Sequence, residues 1–383
     1  MSKKKTILIS VLILVVGGAF TTLVFFTEPE AEKTGASKRT AALVEVTDVA
    51  IDSHFPQVVS TGTVLPAKDI TLSAQVSGEI IRQYEAFAPG GNVKKGDLLL
   101  QIDPADYRNI LALRESDLQQ AQSNMRIEAG RQDVAKKGYE LVASQVGNID
   151  KDLVLREPQY QSVKAQLEAA KAAVEQAKLN LRRTTIRAPF DAQVLSRNVN
   201  IGSQVGNNAS LGRLVGTDEY WIQVNVPLSK LRWLNFADRN DGKGSLVKLY
   251  NEKAWGDGVY REGRLYRLIG SLDNQTRLAR VLVSVSDPLG LENDSVPAFI
   301  LNSFVEARIE ARELENVVQL NRDYLREGET VWLMEDGKLH IQPVTVQFED
   351  TEYAYISEGL TDDDQVVITS LATVREGTPL RTK

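Results

Sequence analysis

The sequence predicts a mixed, mainly β protein with a long antiparallel α-helical coiled-coil hairpin and an N-terminal transmembrane helix. Three observations support this fold class. A strand-rich segment occurs twice, a heptad pattern fills the stretch between the two copies, and an apolar run lies near the N-terminus. The repeat predicts two half-domains that assemble with each other, and the heptads predict a helical rod between them.

The repeat relates residues 74–80 to residues 188–194, with apolar positions that coincide. A second matching segment, Gly-x-x-Val, follows in each copy at residues 90–93 and 202–205. Strand-like patterning with glycine-rich turns predicts a compact β sandwich built from both halves. The residues expected in its core are Ile80, Leu98, Leu100, Ile186, Val194 and Leu214.

The insertion from about residue 104 to residue 184 predicts two helices with a coiled-coil seam. Asp103 is the expected N-cap, and Pro104 suits the first helical position. The second-arm rows are Tyr160, Leu167, Val174 and Leu181, and Val163, Ala170 and Ala177. The first-arm rows are Leu111, Leu118, Met125, Gln132, Tyr139 and Val146, and Arg114, Ala121, Glu128, Ala135 and Val142.

Polar residues and a proline complicate the hairpin. Arg114, Glu128 and Gln132 are expected to weaken the first-arm seam, and the turn between the arms is expected at residues 146–150. Pro158 cannot lie deep inside a straight helix, so the second arm either begins near it or bends there. Arms of roughly 40 residues give a rod on the order of 60 Å. So thin a rod favours side-by-side assembly with further copies.

The N-terminus carries a candidate membrane anchor. Three lysines at residues 3–5 precede an uncharged run at residues 6–26, which is long enough to cross a bilayer as a helix. The lysines predict that this end stays cytoplasmic and that the remaining chain lies on the other side. A cleaved signal peptide is the alternative, although the run is long for one. The polar residues 28–40 predict a flexible tether.

Composition excludes several classes of function. The chain has no cysteine, which excludes disulfides, thiolate metal sites and a cysteine nucleophile. Its net charge of -6 argues against nucleic acid as the main partner. The two histidines lie in unrelated segments and there are three methionines, so no catalytic residue, cofactor or metal site is expected. The sequence therefore predicts a protein that is not an enzyme.

Beyond residue 214 the chain again has the pattern of a β protein. Many short strands with turn signals between residues 220 and 309 predict a β-barrel. A short helix is expected from Leu228 to Phe236, with Ser229 as its cap. A last block, from Val317, predicts a second small β unit that recruits strands from residues 43–51.

Two segments resemble the periplasmic adaptor family, whose members are also called membrane fusion proteins. Residues 179–191, Leu-Asn-Leu-Arg-Arg-Thr-Thr-Ile-Arg-Ala-Pro-Phe-Asp, resemble the family's junction between helix and lipoyl half, and residues 76–99 resemble the other half. The chain departs from the family at Ala192, where glycine is usual. Because the insertion replaces the hairpin that would display a modified lysine, a lipoyl or biotinyl carrier is not expected. The resemblance implies lipoyl-domain turns at Gly78, Gly96, Pro189 and Gly202.

The resemblance implies a periplasmic adaptor of a tripartite efflux system. Such an adaptor links an inner-membrane resistance-nodulation-division transporter to an outer-membrane channel, and several copies side by side seal the conduit. It is held in the inner membrane of a Gram-negative bacterium by one N-terminal span, with its bulk in the periplasm. The alternatives are an adaptor of an ABC-type exporter or secretion system, similar to the haemolysin-secretion adaptors, and a structural envelope tether without a role in transport.

The family resemblance also assigns the hairpin tip to the channel. Residues at the spacing of the family's tip set are expected to contact the channel, and only Leu141 matches that set in type. The tip residues are Lys137, Leu141, Val146 and Asn148.

Three of the expected domains are each built from two separate stretches of the chain. The domains are a membrane anchor (1–27), a linker (28–40), a membrane-proximal β domain (41–52 and 308–383), a β-barrel (53–66 and 216–307), a lipoyl-like domain (67–103 and 185–215) and the helical hairpin (104–184).

Overall fold

A computed structural model describes residues 3–27, 41–142, 150–293, 295–371 and 375–382. The elements up to the end of the helical insertion are α1 (Lys3–Phe26), β1 (Ala42–Val44), β2 (Val46–Asp48), β3 (Ile51–His54), β4 (Gln57–Pro66), β5 (Asp69–Ser73), β6 (Gly78–Gln83), β7 (Asn92–Val93), β8 (Leu98–Ile102), α2 (Ala105–Val142), α3 (Lys151–Val154) and α4 (Glu157–Arg183).

The elements after the insertion are mostly strands. They are β9 (Thr185–Arg187), β10 (Ala192–Arg197), β11 (Gln204–Val205), β12 (Ser210–Gly216), β13 (Glu219–Val226), β14 (Leu246–Tyr250), α5 (Glu252–Trp255), β15 (Tyr260–Leu272), β16 (Ala279–Ser286), β17 (Phe304–Glu310), β18 (Leu314–Asn321), β19 (Thr330–Glu335), β20 (Lys338–Pro343), β21 (Thr345–Glu349), β22 (Tyr353–Glu358), β23 (Gln365–Val367) and β24 (Leu380–Thr382). Three short 3₁₀ helices lie at Leu228–Trp233, Ala237–Arg239 and Arg322–Tyr324.

The chain divides into two compact units. One consists of Met1–His54 with Leu314–Lys383, and the other is Phe55–Glu313. His54 of β3 pairs with Leu314 of β18, whereas Arg308–Glu310 continue the barrel strand β17. The expected boundaries at residues 52/53 and 307/308 are therefore each displaced by a few residues, because strand pairing continues past them.

Helix α1 has the character of a membrane span. Among the described residues, one stretch, Ile7–Phe26, is long and apolar enough to cross a bilayer as a helix, and it is not buried against protein. Two threonines in its C-terminal third form hydrogen bonds within the helix: the Thr21 hydroxyl donates to the carbonyl of Gly17 at 2.7 Å and the Thr22 hydroxyl to that of Gly18 at 2.9 Å. Internal hydrogen bonding of this kind is what a polar group requires in hydrocarbon.

The first unit contains the N-terminal strands and the C-terminal block. One four-stranded sheet has the order β21-β22-β18-β3, and a second has the order β2-β23-β19-β20. Strand β1 pairs in parallel with β24. These pairings confirm that the segment around residues 43–51 joins the C-terminal β unit. Val331 and Val366 belong to one buried apolar cluster of this unit, and Val367 belongs to a second.

The barrel of the second unit is closed by six strands. Their order is β13-β16-β15-β14-β17-β4, and β13 alternates strictly between buried and partly exposed positions. This period of two is the expected pattern for a strand with one face in a core. The helix expected at residues 228–236 is a 3₁₀ helix that ends at Trp233, and Pro227 rather than Ser229 occupies its N-cap. Proline at 227 fixes the entry of the chain, so no side-chain cap forms.

The lipoyl-like sandwich consists of two four-stranded sheets related by an approximate two-fold symmetry. Their orders are β5-β12-β10-β7 and β9-β8-β6-β11, so each strand has its counterpart in the other half. Equivalent backbone hydrogen bonds join the two halves: Gly90 N–H donates to Val194 O at 2.8 Å, and Gly202 N–H donates to Ile80 O at 2.8 Å. The split repeat therefore encodes a two-fold sandwich.

The sandwich core follows the predicted pattern with one exception. Ile80, Leu100, Ile186, Val194 and Leu214 are all buried in it.

Leu98, the sixth predicted core residue, is only partly buried, and Leu99 takes its place in the core. The registers of β8 against β9 shift between Leu98 and Leu100. At such an irregularity, successive side chains no longer alternate between the two faces of the strand. The prediction assumed strict alternation and therefore placed Leu98 in the core.

Candidate functional site

The helical hairpin is the candidate functional site, and the sandwich fixes both of its ends. At the start of α2, Asp103 Oδ1 accepts the N–H of Ala105 at 3.0 Å, which confirms the predicted cap. At the end of α4, the Thr184 hydroxyl donates to Leu181 O at 2.8 Å, and Gln101 of β8 donates to Thr184. The 38 residues of α2 and 27 of α4 correspond to roughly 57 and 41 Å of helix.

The predicted seam residues form the interface between α2 and α4. Val174 and Ala177 are buried, and the other predicted second-arm positions are partly buried. In the first arm, the predicted rows are likewise less exposed than their neighbours, with the exception of Arg114. Arg114 points away and pairs with Asp117 on its own helix at 3.1 Å. The structure does not describe the side chain of Val142 or residue 146.

Two polar residues of the first arm, which were expected to weaken the seam, have partners across it. Glu128 and Gln132 are each 5% exposed and meet polar partners in the second arm. Arg156 Nε donates to Glu128 Oε1 at 2.7 Å, and Gln132 Nε2 donates to Glu157 Oε2 at 2.8 Å. A buried carboxylate with a charged donor is stabilised, whereas an unpaired one would be costly. These two bonds form a polar lock across the arms.

The second arm is interrupted immediately before this lock. The short helix α3, capped by Asp150, ends at Val154, and Arg156 adopts a left-handed conformation with φ of 57°. Helix α4 then begins at Glu157 with Pro158 in its first turn, where proline is tolerated because its missing N–H has no helical acceptor. Of the two possibilities for Pro158, the structure therefore shows that the long second-arm helix begins there.

Of the predicted tip residues, two lie in the described part of the chain. Leu141 is 85% exposed in the last turn of α2. Lys137, one turn earlier, pairs with Asp133 at 2.8 Å, and this carboxylate raises the pKa of Lys137. Val146 and Asn148 lie outside the described residues. Leu141 thus presents an exposed apolar side chain, while the Lys137 charge is already paired within its helix.

The heptad count missed a third apolar row on the first arm. Leu113, Ile127, Val134 and Leu141 are separated by multiples of seven residues, and all four side chains are more than half exposed. Because multiples of seven return to nearly the same face of a helix, these residues form an outer stripe distinct from the seam. The same spacing that identified the seam could have identified this stripe.

The predicted lipoyl turns carry conformations that explain their residue types. Gly78 has φ of 151°, and a Cβ there would lie 2.6 Å from Cγ2 of Ile102. Gly96 and Gly202 have φ of 91° and 83°. Ala192, the counterpart of Gly78, lies in β10 without a positive φ, so its methyl group is accommodated. Pro189 precedes β10 in the bend between the strands.

Neither histidine is arranged for catalysis among the residues described. His54 lies beside the ring of Tyr355 in the first unit. His340 Nδ1 is 2.7 Å from Glu376 Oε1, and this carboxylate raises the pKa of His340. The described ranges contain no group of three or more histidine, cysteine or acidic residues that could hold a metal ion.

Comparison with known proteins finds one family model and similar proteins. The family model described as "RND MFP, barrel-sandwich hybrid domain" matches residues 68–217, which include both sandwich halves and the hairpin. The multidrug resistance protein MdtA of Klebsiella pneumoniae is 28% identical over 353 residues, which cover 90% of this chain and 80% of MdtA.

Two crystal structures share the fold. MacA from Actinobacillus actinomycetemcomitans is 18% identical with a TM-score of 0.57, covering 85% of this chain and 99% of MacA. A MacA–MexA chimera with the α-hairpin domain of Pseudomonas aeruginosa MexA is 23% identical with a TM-score of 0.55, covering 84% of this chain and all of the chimera. Residues 68–217 thus match the barrel-sandwich hybrid domain described for RND membrane fusion proteins, and the chain shares the fold of these two crystal structures.

Proposed function

We propose that this chain is the periplasmic adaptor subunit of a tripartite efflux system, which links an inner-membrane resistance-nodulation-division transporter to an outer-membrane channel. The observation that carries the proposal is the hairpin, a helical rod rooted at both ends in the lipoyl-like sandwich within the matched family region. The relative MdtA is named for multidrug resistance. The apolar helix α1 supports attachment to the inner membrane.

The hairpin acts as a spacer whose tip contacts the channel. The α2 arm supplies roughly 57 Å of reach from the sandwich. Near its end, Leu141 offers an exposed apolar side chain, which in a soluble surface is typical of an interaction site when it continues a stripe. Lys137, Leu141, Val146 and Asn148 form the channel-contacting region of this proposal.

The outer stripe supports assembly of several copies. Leu113, Ile127 and Val134 lie along the length of α2, away from α4, so the hairpin's own partner helix does not cover them. A neighbouring hairpin would bury such a stripe and would close the gap between rods. Side-by-side copies then form the wall of a conduit that keeps substrate out of the periplasm.

The chain contributes position and sealing, not chemistry. In this proposal the inner-membrane transporter supplies the energy for transport. The adaptor holds its partners at a fixed spacing, and the ion pair of Glu128 and Arg156 joins the two arms of its hairpin. No catalytic residue, cofactor or metal is assigned.

The test replaces Leu141 by aspartate in the full chain and measures efflux and channel capture together. We expect Leu141→Asp to reduce co-purification of an outer-membrane channel and to raise drug accumulation in cells, because a charge would have to be buried at the contact. Leu141→Met and Glu140→Gln are matched controls that should leave both readouts unchanged. Unchanged capture and accumulation with Leu141→Asp would refute the tip assignment.

The transporter side is tested separately. Cross-linking in whole cells followed by purification of the chain should recover a resistance-nodulation-division permease. Recovery of an ATPase-linked permease would support an ABC-type exporter instead, and normal drug efflux in cells that lack the chain would support a structural tether.

A further inference from the structure

The lipoyl-like sandwich contains a cleft with a strongly positive wall. The cleft has a volume of about 610 Å³ and lies between β5 and β9, each at the edge of its own sheet. Clefts of roughly 300–1,000 Å³ accommodate small organic ligands. Its lining includes Ile70 and Leu72 from one strand and Ile186 from the other, so an apolar body has surface to contact.

Three arginines line one wall of the cleft. They are Arg182 and Arg183 at the end of α4 and Arg187 in β9, and the cleft has no carboxylate in its lining. Within the described part of the chain, none of the three forms an ion pair. Arg187 Nη1 donates to Gly96 O at 2.8 Å, which anchors this guanidinium. The Nε–H of Arg183 is buried and has no hydrogen-bond partner.

The end of helix α4 does not account for this charge. A helix C-terminus is equivalent to roughly half a negative charge. Three guanidinium groups carry three positive charges, so the helix end leaves most of the charge uncompensated. Arg187 lies beyond the helix, in the strand that follows.

The pairing of β9 does not require Arg187 either. In the two-fold relation of the sandwich, β5 corresponds to β9: Leu72 pairs with Gly212, as Ile186 pairs with Leu100 in the other half. The counterpart of Arg187 is then Ser73, an exposed neutral residue on the opposite wall of the same cleft. Since the corresponding strand forms with serine, strand pairing in the sandwich does not require an arginine at position 187.

We propose that the cleft between β5 and β9 binds a small organic anion with an apolar body, whose carboxylate or similar acidic group is held by Arg182, Arg183 and Arg187. The buried Nε–H of Arg183 supplies a donor that the protein leaves unused. Ile70, Leu72 and Ile186 contact the apolar part. This site is distinct from the hairpin tip and does not depend on the identity of the transporter or channel.

The test is calorimetric titration of the full chain in a non-ionic detergent with 1-naphthoate, and with 1-naphthamide as its neutral match. Heats from detergent alone are subtracted. We expect saturable binding of naphthoate, at least about five-fold tighter than naphthamide, because charge-assisted hydrogen bonds are stronger than neutral ones. Arg182→Gln/Arg183→Gln should weaken naphthoate binding by a similar factor, whereas Arg82→Gln, an exposed arginine of β6 outside the cleft, should not.

A second variant changes Ser73, which lies on the wall of the cleft opposite the arginines. Ser73→Glu places a negative charge opposite the arginines on an exposed strand position, and it should weaken naphthoate binding while leaving the thermal unfolding temperature unchanged. Absence of saturable binding would overturn the proposal. Equal affinity for naphthoate and naphthamide, or an equal loss with Arg82→Gln, would also overturn it, because binding would then not involve this charge cluster.

Discussion

Arg156 and Glu128 join the two arms of the hairpin, with Arg156 Nε donating to Glu128 Oε1 at 2.7 Å. The carboxylate is 6% exposed and the arginine adopts a left-handed backbone conformation at the break before α4. The pair therefore joins the break in the second arm to the first arm.

Removal of either partner of this pair should destabilise the hairpin. We expect Glu128→Ala and Arg156→Ala each to lower the temperature of the helical unfolding transition, measured by circular dichroism. The double variant should lose less than the sum of the two, since each single change leaves a polar partner without its bond. Arg114→Ala, which breaks only the exposed pair with Asp117, should have little effect. Strict additivity would show that the two residues are not coupled.

The stability of the hairpin should also depend on pH, because Glu128 titrates with a lowered pKa. Its bond with Arg156 lowers the pKa of Glu128 below the ordinary value of 4.5. A lowered pKa in the folded state contributes stability above the ordinary value, which is lost as the pH falls through the lowered pKa. We expect Glu128→Gln to remove part of the acid destabilisation of the helical signal below about pH 4.5. An identical acid profile for the variant and the parent would contradict this assignment.

The pair of His340 and Glu376 should stabilise the C-terminal segment at low pH and lose this effect as the pH rises. The Glu376 carboxylate raises the pKa of His340, so the charged imidazole is favoured in the folded state. This contribution is complete below the ordinary histidine value of 6.5 and is lost as the pH rises through the raised pKa.

Amide hydrogen exchange can measure this coupling. Leu380 N–H donates to Gly337 O, and Gly377 N–H donates to Leu339 O. After correction for intrinsic rates, protection of these amides should fall as the pH rises above the ordinary histidine value of 6.5. His340→Gln should abolish that difference, and an unchanged pH dependence in this variant would rule out the histidine as its cause.

The two-fold sandwich predicts that alanine substitutions at equivalent core positions lower the free energy of unfolding by similar amounts. Ile102 and Leu214 occupy corresponding places and are both fully buried. We expect Ile102→Ala and Leu214→Ala each to lower the free energy of unfolding by about 2–5 kcal/mol, measured by chemical denaturation. Ile81→Ala, at a position 46% exposed, should cost much less. A negligible cost at either buried position would show that this half contributes little to the core.

Gly78 and Ala192 should respond differently although they are counterparts. Gly78 has a positive φ and no space for a Cβ beside Ile102, so Gly78→Ala should destabilise the sandwich by about 1–3 kcal/mol. Ala192→Gly should cost less, because it adds only backbone freedom at a strand position. Denaturant midpoints of the two variants provide the comparison, and equal midpoints would contradict the steric argument.

The parts of this structure that depend on local periodicity were predictable. Alternation around Ile80 and Val194 predicted the sandwich, and the spacing of Val174 and Ala177 predicted the seam. Leu98 was misplaced because the register shift within β8 has no signature in a strict alternation. The partners of Glu128 and Gln132 lie 28 and 25 residues away in the other arm. The polarity of the two residues alone therefore indicated a weak seam, whereas the structure has the polar lock.

The tip assignment shows the limit of sequence reasoning in another way. The family resemblance selected Leu141, and its exposure agrees with a contact role, but the outer stripe from Leu113 was missed because only two rows per arm were counted. The charged wall of the cleft was visible as Arg182, Arg183 and Arg187 in the sequence. Its meaning required the fold, since only the two-fold pairing of strands places Ser73 opposite these arginines.

Photocross-linking from Leu141 in living cells tests the central claim most directly. A photoreactive amino acid at position 141 should cross-link the chain to an outer-membrane channel, whereas the same group at Ile201, exposed on the sandwich, should not. Cross-linking at position 141 that yields only copies of the chain itself, or no outer-membrane protein, would contradict the account of the hairpin as the arm that reaches the channel.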